Sequence, residues 1–440
     1  MNCKPLGIVG LEEALPNGQY QLLHLRCRGF QTKPLTMAVD RPLTVKVKHF
    51  FMLIDSTSKC PVLALEIYIY LTLEKDRVSQ HIFVPKADTT GLGSQRIDVA
   101  AVVLVLVKAL VETNAGAYFK EPVAWKQSRK DNDVKAESPY ATVNVLRALA
   151  SKLTSDPASI HSLPYYGTPE HKEKESRGPE VADTVTTKIS LFTRAANAYI
   201  FPKLEHNSGK HIADGNTLFR WWLRIFDHCL PSTWRCVGDI PGAEAAAVAR
   251  SFPSDRWKQG NIYVSGLTPA VRQIPLFPDD PKGRFLEHLI VEGRYKSVTT
   301  QQFWLELGFR QEFRLGNVVG IIGCENSDAV ALDRESTCPG LSVSHKQYKK
   351  VVEFVKGEDY SNKFDIQAMI ESGLPEVFKQ NGLKYLTIKL EGKRQRKEMS
   401  PKNVMPVNNL NSMVRKRPAV NNLTGLVKKA PKNSKPSTGS

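Results

Sequence analysis

Hydrophobic and polar residues alternate along residues 62–73 and predict the centre of a β-sheet. Odd positions from Leu65 to Leu73 are all Leu or Ile, and the even positions between them are Glu, Tyr or Thr. Successive strand residues face opposite sides, so this segment is a strand with one apolar face. A β-branched and aromatic run, Thr44 to Ile54, precedes it across a short polar turn and predicts a hairpin. His81 to Val84 predicts a third central strand that ends at Pro85.

Longer hydrophobic periods predict helices around these strands. Thr217 to Leu230 repeats apolar residues at i, i+3, i+4 and i+7, which is a core-facing stripe. Core packing is favoured for Trp221, whereas a pocket wall and the core are equally good interpretations of Trp222. The remaining predictions are helices over 97–112, 140–153, 285–291, 299–313 and 347–356, two helices within 365–386, and a strand over 317–324.

Charge and composition divide the chain. The 440 residues are 41% hydrophobic and can bury a large core. Residues 393–440 hold twelve Lys or Arg and one acid, so they carry +11 of the net +17. This disordered basic tail could be a bipartite nuclear signal, a polyanion-binding arm or a solubilising segment. Residues 126–165 predict a small helical insertion with flexible flanks, between core segments 1–125 and 166–392.

Cysteine usage and apolar run length exclude two protein classes. Seven scattered cysteines without CxxC spacing indicate reduced thiols rather than a secreted disulfide framework. Met1 to Pro16 shows no signal-peptide pattern, and the longest apolar run, Val99 to Val107, is too short to span a bilayer. We therefore expect a soluble intracellular protein.

The proline-framed acidic segment Ile274 to Phe285 (IPLFPDDPKGRF) is the most distinctive local pattern. Its prolines favour extended geometry, in which Asp279 and Asp280 point in opposite directions. Asp280 before Pro281 predicts a helix N-cap, with the helix beginning at the proline. The segment is either a well-made helix start or a catalytic rim, and local sequence favours the helix start.

Two loops could bind an anion. Residues 86–96 place glycines and Arg96 between a strand and a helix, although an ordinary turn capped by Ser94 is the simpler interpretation. A basic loop with Lys210 and His211 could hold a phosphate or be a solvated surface. No metal, P-loop or hydrolase motif is present. This set suits a large phosphorylated acyl cofactor, with a carboxylate base whose pKa burial beside rings would raise.

Seven ordered motifs between residues 45 and 390 carry a family resemblance: HFFMLI, LEIYIYLTL, FVPKADTTG, ISLFTRAANAYIFP, KHIADGNTLFRWW, IPLFPDDPKGRF and FWLELGFRQEF. With these the chain resembles the fungal histone H3 acetyltransferases of the regulator of Ty transposition family. The resemblance implies an α/β fold: a mixed β-sheet surrounded by helices, akin to the CBP acetyltransferases, with a small helical insertion. It also implies acetyl-CoA as co-substrate and no metal.

The resemblance also assigns roles to residues. Asp280 would transfer the proton with Asp279 beside it, Asp88 would support activity, Trp222 would line the acetyl and lysine channel, and Lys282 would be autoacetylated. The implied cofactor-binding residues are Ala87, Asp88, Thr89, Arg96, Ile97, Asp98, Val99, Ala100, Phe192, Ala196, His211, Ile212, Ala213, Asn216 and Trp221.

The implied biology is nuclear. The family acts on newly made histone H3, with H4, together with histone chaperones of the NAP type and the anti-silencing type. Its work belongs to replication-coupled nucleosome assembly and genome stability, without membrane association or sequence-specific DNA binding. The alternative is a non-catalytic chromatin or nucleic-acid binder driven by the basic tail, whose binding would depend strongly on salt.

Overall fold

A computed structural model describes residues 8–125, 139–155, 179–204, 207–264, 266–310, 313 and 318–395. Within them lie α1 (Leu11–Ala14), β1 (Gly18–Cys27), β2 (Phe30–Thr32), β3 (Thr44–Asp55), β4 (Cys60–Leu73), β5 (Val78–Thr89), α2 (Val99–Val111), α3 (Ala141–Ser155), β6 (Thr184–Arg194), α4 (Gly215–Cys229), β7 (Arg235–Asp239), α5 (Ala245–Ala249), β8 (Trp257–Gln259), α6 (Ala270–Gln273), α7 (Gly283–Val291), α8 (Thr300–Leu307), β9 (Val319–Ala331), β10 (Leu341–Val343), α9 (His345–Gly357), α10 (Lys363–Ala368), α11 (Leu374–Gln380) and β11 (Ile388–Gly392). Short 3₁₀ segments occupy Ala115–Tyr118 and Arg294–Lys296, and a π-helical turn, Met369–Gly373, joins α10 to α11.

The strands form one mixed, eleven-stranded sheet in the order β10-β1-β3-β4-β5-β6-β9-β7-β8, with β11 paired to β1 and β2 to β3. The predicted hairpin of β3 and β4 is confirmed as an antiparallel pair, and β5 completes the predicted sheet centre. Three pairs are parallel: β1 with β10, β5 with β6, and β7 with β8. The pair of β5 and β6 is the one that organises the candidate site.

One face of the sheet packs on α2 and α4. The apolar positions predicted on β4, from Leu65 to Leu71, lie in this core, and α2 and α4 also pack on each other. Leu106 of α2 and Phe219 of α4 are fully buried there. This layer holds the two helices against one face of the sheet.

Two separate helical clusters cover the other face. Helices α9 to α11 pack on β1, β3 and β4, and α6 to α8 pack against β7 and β9. Between them Tyr70, Phe83 and Phe277 form a small aromatic cluster over β4 and β5. This aromatic cluster thus lies between two independently packed groups of helices on the same face of the sheet.

Several predicted boundaries are wrong for identifiable reasons. Strand β5 does not end at Pro85 but continues to Thr89, because the proline lies at a bulge where the register with β4 shifts. Helix α8 ends at Leu307 rather than Phe313, and β9 extends the strand predicted over 317–324 as far as Ala331. Strands β1 and β11, which fall outside the predicted set, complete one edge of the sheet.

The predicted insertion and tail lie largely outside the described residues. Helix α3, predicted over 140–153, is present at Ala141–Ser155 and packs on α7. Lys393 and Arg394, assigned to the tail, instead pair with Glu12 at 2.5 Å and with Asp98 at 2.6 Å. The six described cysteines are free thiols, five of them buried. No helix in the described ranges is both long and apolar enough to cross a bilayer.

Helix α4 approaches the sheet closely at Gly320 of β9. A Cβ at this position would lie 2.2 Å from the Phe219 ring and 2.6 Å from Thr193 Oγ1. We expect Gly320→Ala to lower the free energy of unfolding by about 1–3 kcal/mol through overpacking. Gly357→Ala is the matched control, since nothing lies within 4 Å of its added Cβ. Chemical denaturation of both variants checks this, and equal stability would contradict the close approach.

Candidate active site

The central feature of the site is a gap between two parallel strands. Strands β5 and β6 pair from Val78 with Val185 as far as Val84 with Leu191, and then the pairing stops. Both strands continue, β5 to Thr89 along β4 and β6 to Arg194 along β9. A crevice beyond the carboxyl ends of parallel strands is a common ligand-binding position in α/β proteins.

The acidic proline segment contacts both sides of this gap. On the β5 side, Lys86 Nζ lies 3.3 Å from Asp279 Oδ2. On the β6 side, Lys282 Nζ lies 4.7 Å from the centre of the Phe192 ring. Lys86 was not predicted as a site residue, although its spacing of two from Asp88 places both on one face of a strand. Residues 277–282 therefore span the opening.

The two aspartates point in different directions, as predicted, but for a different reason. Asp279 has a positive φ of 54°, so a left-handed turn rather than an extended chain separates them. Asp279 is 73% exposed and the Asp280 side chain is fully buried. Helix α7 begins at Gly283 rather than at the predicted Pro281, and Asp280 Oδ1 instead accepts the Lys282 amide at 3.0 Å.

Asp280 and Lys282 form a buried pair. The Lys282 ammonium donates to Asp280 Oδ2 and also to the Pro275 carbonyl at 2.6 Å, and its side chain has no exposed surface. Burial raises the pKa of Asp280 although the Lys282 charge opposes it. Burial likewise lowers the pKa of Lys282 against the effect of Asp280. A low-dielectric position thus brings the proton affinities of the two groups towards each other.

Aromatic rings enclose this pair. Phe277 stacks on Phe83 with ring centres 4.3 Å apart, and Tyr70 lies 5.8 Å from Phe277. The Lys282 ammonium sits 5.3 Å from the Phe277 ring as well as close to Phe192. These apolar walls explain the desolvation that shifts both pKa values, and they separate the pair from bulk water.

Asp88 serves as a tether between loops. Its Oδ2 accepts the three successive amides of residues 199–201 at 2.8–3.0 Å, and Oδ1 accepts the Thr89 amide. Lys210 Nζ, a group that sequence reasoning left as a phosphate ligand or surface charge, lies 3.1 Å from Oδ1. With both oxygens engaged, Asp88 fits a positioning role better than proton transfer. Neighbouring Ala87 and Thr89 are half-buried on β5.

The start of α2 is capped by Asp98, which also pairs with Arg394. Asp98, rather than Ser94, is the N-cap and accepts the Ala101 amide at 3.1 Å, while its other oxygen binds Arg394. Arg96 is exposed, and Ile97, Val99 and Ala100 are half-buried. An exposed cation beside a helix N-terminus retains the features of the predicted anion site.

The remaining predicted cofactor residues lie around β6 and the start of α4. His211, Ile212 and Asn216 are exposed, Ala213 is half-buried, and the Ala196 amide donates to the Tyr199 hydroxyl. Trp221 and Trp222 meet edge to face at 4.9 Å. Trp221 is partly buried and packs against the core, as predicted, and Trp222, for which core and pocket wall were both open, is 4% exposed and stacks on Phe226.

Phe277, whose amide donates to Asp280, and Trp222 belong to clusters on opposite faces of the sheet. The gap between β5 and β6 is the opening through which groups on the two faces can meet. The ring centres of Phe83, Phe192 and Phe277 lie 4.3–6.4 Å apart beside it, and Arg96 and His211 are exposed. In the described ranges no group of three or more His, Cys, Asp or Glu could hold a metal ion.

Comparison with known proteins identifies the family of the chain. Residues 9–376 match the family model of the histone acetyltransferase KAT11-type domain. The chain is 31% identical to "Histone acetyltransferase RTT109" of Candida albicans, across 82% of this chain and 98% of that protein. It is 26% identical to the protein of the same name from Schizosaccharomyces pombe, across 44% of this chain and 56% of the other.

A crystal structure of Rtt109 from Aspergillus fumigatus superposes with a TM-score of 0.62 at 21% identity, and the match covers 88% of this chain and 98% of that one. This confirms the predicted mixed sheet surrounded by helices. The family match supports a histone lysine acetyltransferase over the alternative of a non-catalytic binder. The chain therefore belongs to the Rtt109 family of fungal histone lysine acetyltransferases.

Proposed function

We propose that this histone acetyltransferase modifies lysines of newly made H3, presented with H4 by NAP-type and anti-silencing-type chaperones in the nucleus. Its role would be replication-coupled nucleosome assembly and genome stability, without membrane association or a metal. The supporting observation is the segment of residues 277–282, which spans the gap between β5 and β6 and holds a buried carboxylate there. An acetyltransferase activity implies acetyl-CoA as co-substrate.

Acetyl-CoA, when bound, supplies a thioester carbon as the acceptor of the amine. The attacking lysine must first lose a proton, because its ordinary pKa is about 10.4. Asp280 accepts that proton, directly or through water, and its raised pKa makes it a stronger base than a surface aspartate. As the new bond joined the lysine nitrogen to the acyl carbon and the carbon–sulfur bond broke, the nitrogen would give its second proton to the leaving thiolate, and Asp280 would release the first proton to water before the next turnover.

The other residues would support this step. Asp279 holds Lys86 at the rim, and Asp88 fixes the loops that line the cofactor. Trp222, buried on α4, would line the inner end of the acetyl and lysine channel. The cofactor would be held by residues 87–89 and 96–100, by Phe192 and Ala196, by residues 211–213, and by Asn216 and Trp221.

Lys282 would tune Asp280. Its ammonium lowers the pKa of Asp280, so it weakens the base it contacts. Acetylation of Lys282 would remove the positive charge while leaving an amide able to donate one hydrogen bond. The Asp280 carboxylate would then have a higher pKa and would take a proton from the substrate lysine more readily.

Acetyl-CoA should stabilise the folded protein. At about 100 times Kd, a ligand that binds only the native state adds about 2.7 kcal/mol to the free energy of unfolding. We expect a rise in Tm with acetyl-CoA and none with ATP at the same concentration, followed by transfer of labelled acetyl groups to H3 with each chaperone type. Absence of the Tm shift would contradict acetyl-CoA binding. No label on H3 with both chaperones present would contradict the substrate assignment alone.

Asp280→Asn should lower kcat by about a hundredfold or more, the lower end of what general-base catalysis contributes. It also leaves Lys282 without its buried counter-charge, which costs about 3–5 kcal/mol of stability. The double variant Asp280→Asn/Lys282→Met separates the two effects because it removes both charges. We expect the double variant to regain Tm but not kcat. A double variant with wild-type turnover would remove Asp280 from the reaction.

Lys282→Met should move the acid limb of the pH profile of kcat/KM to higher pH. The limb reports ionisation of Asp280, and loss of the ammonium that lowers its pKa leaves burial unopposed. The limb of the wild type should already lie above the ordinary aspartate pKa of 3.8. Lys86→Met, which removes a charge that contacts Asp279 at the surface, should shift it less. An acid limb unchanged in Lys282→Met would contradict the coupling.

Mass analysis after incubation with acetyl-CoA alone tests the modification itself. The wild-type peptide containing Lys282 should carry one acetyl group that Lys282→Arg lacks. An unmodified wild-type peptide in an active preparation would exclude autoacetylation at this position.

A further inference from the structure

The loop of residues 207–213 rests directly on the loop that follows β5. A Cβ on Gly91 would lie 2.3 Å from the carbonyl carbon of Gly209, and one on Gly209 would lie 2.3 Å from the Gly91 oxygen. The two backbones thus touch with no room for a side chain on either glycine. Asn207 Nδ2 adds a hydrogen bond of 2.7 Å to the Thr90 carbonyl.

Beneath this contact lies a second buried ion pair. The side chains of Lys210 and Asp88 are 4% and 3% exposed, and Nζ lies 3.1 Å from Oδ1. Among the described residues the ammonium finds no acceptor in hydrogen-bonding alignment, so its attraction to Asp88 is mainly Coulombic. The stability of a buried ammonium depends on its counter-charge, because the ammonium can be hydrated only if the loop moves.

Asp88 is the centre of this arrangement. Its Oδ2 collects the three amides of residues 199–201, which follow β6 on the far side of the gap. Its Oδ1 faces Lys210 of the second loop. One carboxylate therefore joins the end of β5 to both loops that approach it from the β6 side.

We propose that Lys210 is a positioning residue for acetyl-CoA, whose buried ammonium holds the 207–213 loop against Asp88 so that cofactor-lining residues on three segments form one wall. The inference rests on the proposed binding of acetyl-CoA at these loops. Lys210 itself need not touch the ligand, since its side chain is buried beneath the loop whose neighbouring residues, His211 and Ile212, are exposed.

Substitution of Lys210 should leave histone binding and proton transfer unchanged. Asp280 and Lys282 reach the gap from the segment that precedes α7, and the hydrogen bonds of their side chains lie within residues 275–282. None of these bonds passes through Lys210. Loosening the loop should therefore weaken cofactor affinity and leave the proton-transfer group in place.

The test is Lys210→Met in the full-length protein, with steady-state kinetics on H3 and thermal unfolding. We expect KM for acetyl-CoA to rise by about tenfold, within the range of ~5 to ~150-fold typical of coupling energies. At saturating acetyl-CoA, kcat and KM for H3 should stay within about threefold, well below that coupling range.

The control is Lys203→Met, which removes a lysine charge seven residues earlier in the same chain. The ion pair that Lys203 makes, with Asp359 at 2.7 Å, is an exposed one. Its KM for acetyl-CoA should change by less than about twofold, because exposed pairs contribute little. An equal rise in both variants would show that loop charge, not the buried pair, governs affinity, and would overturn the inference.

A second variant covers the case in which Lys210→Met fails to fold. Asn207→Ala removes the bond to Thr90 between the same loops, and we expect it to raise KM for acetyl-CoA in the same direction by a smaller factor. Wild-type KM in every folded loop variant would overturn the positioning role while leaving the proposed function intact. Failure of the wild type itself to bind acetyl-CoA would instead overturn the proposed function.

Discussion

The site depends on two parallel strands that stop pairing while both continue. Parallel strands normally keep their ladder to the end, since unpaired backbone groups inside a protein are costly. Here β5 leaves β6 after Val84, at the position where Pro85 has no amide hydrogen to pair. A bulge against β4 absorbs the change in direction. The acidic segment of residues 277–282 and Asp88 lie at the opening that results.

Two buried carboxylates stabilise the opening from opposite sides. Asp280 faces a single lysine and two backbone amides, so its proton affinity stays adjustable. Asp88 accepts four backbone amides and also faces Lys210. These contacts hold the loops that follow β5 and β6 in place. The same chemical group thus performs two different tasks, and the number of amides around it separates them. Hydrogen bonds to a carboxylate favour its charged form, whereas desolvation favours the neutral one.

Local sequence was sufficient for the hairpin of β3 and β4 and for the helices α2, α4 and α9. Those features depend on hydrophobic periodicity, which neighbouring residues determine. The burial of Lys210 and the pairing of Lys86 with Asp279 were not predictable in this way. Each depends on contacts between segments distant in sequence, such as Asp88 with residues 199–210. The assignment of cofactor residues came from family resemblance.

The complete burial of Lys282 bears on how lasting its modification would be. A deacetylase must reach an acetyl-lysine from solvent, and this side chain is enclosed by Phe192, Phe277 and the Pro275 carbonyl. An acetyl group placed there would be shielded from such enzymes for as long as the protein stays folded. It would act as a maturation step taken once by each molecule, comparable to a built-in prosthetic group, and not as a signal that the cell writes and erases.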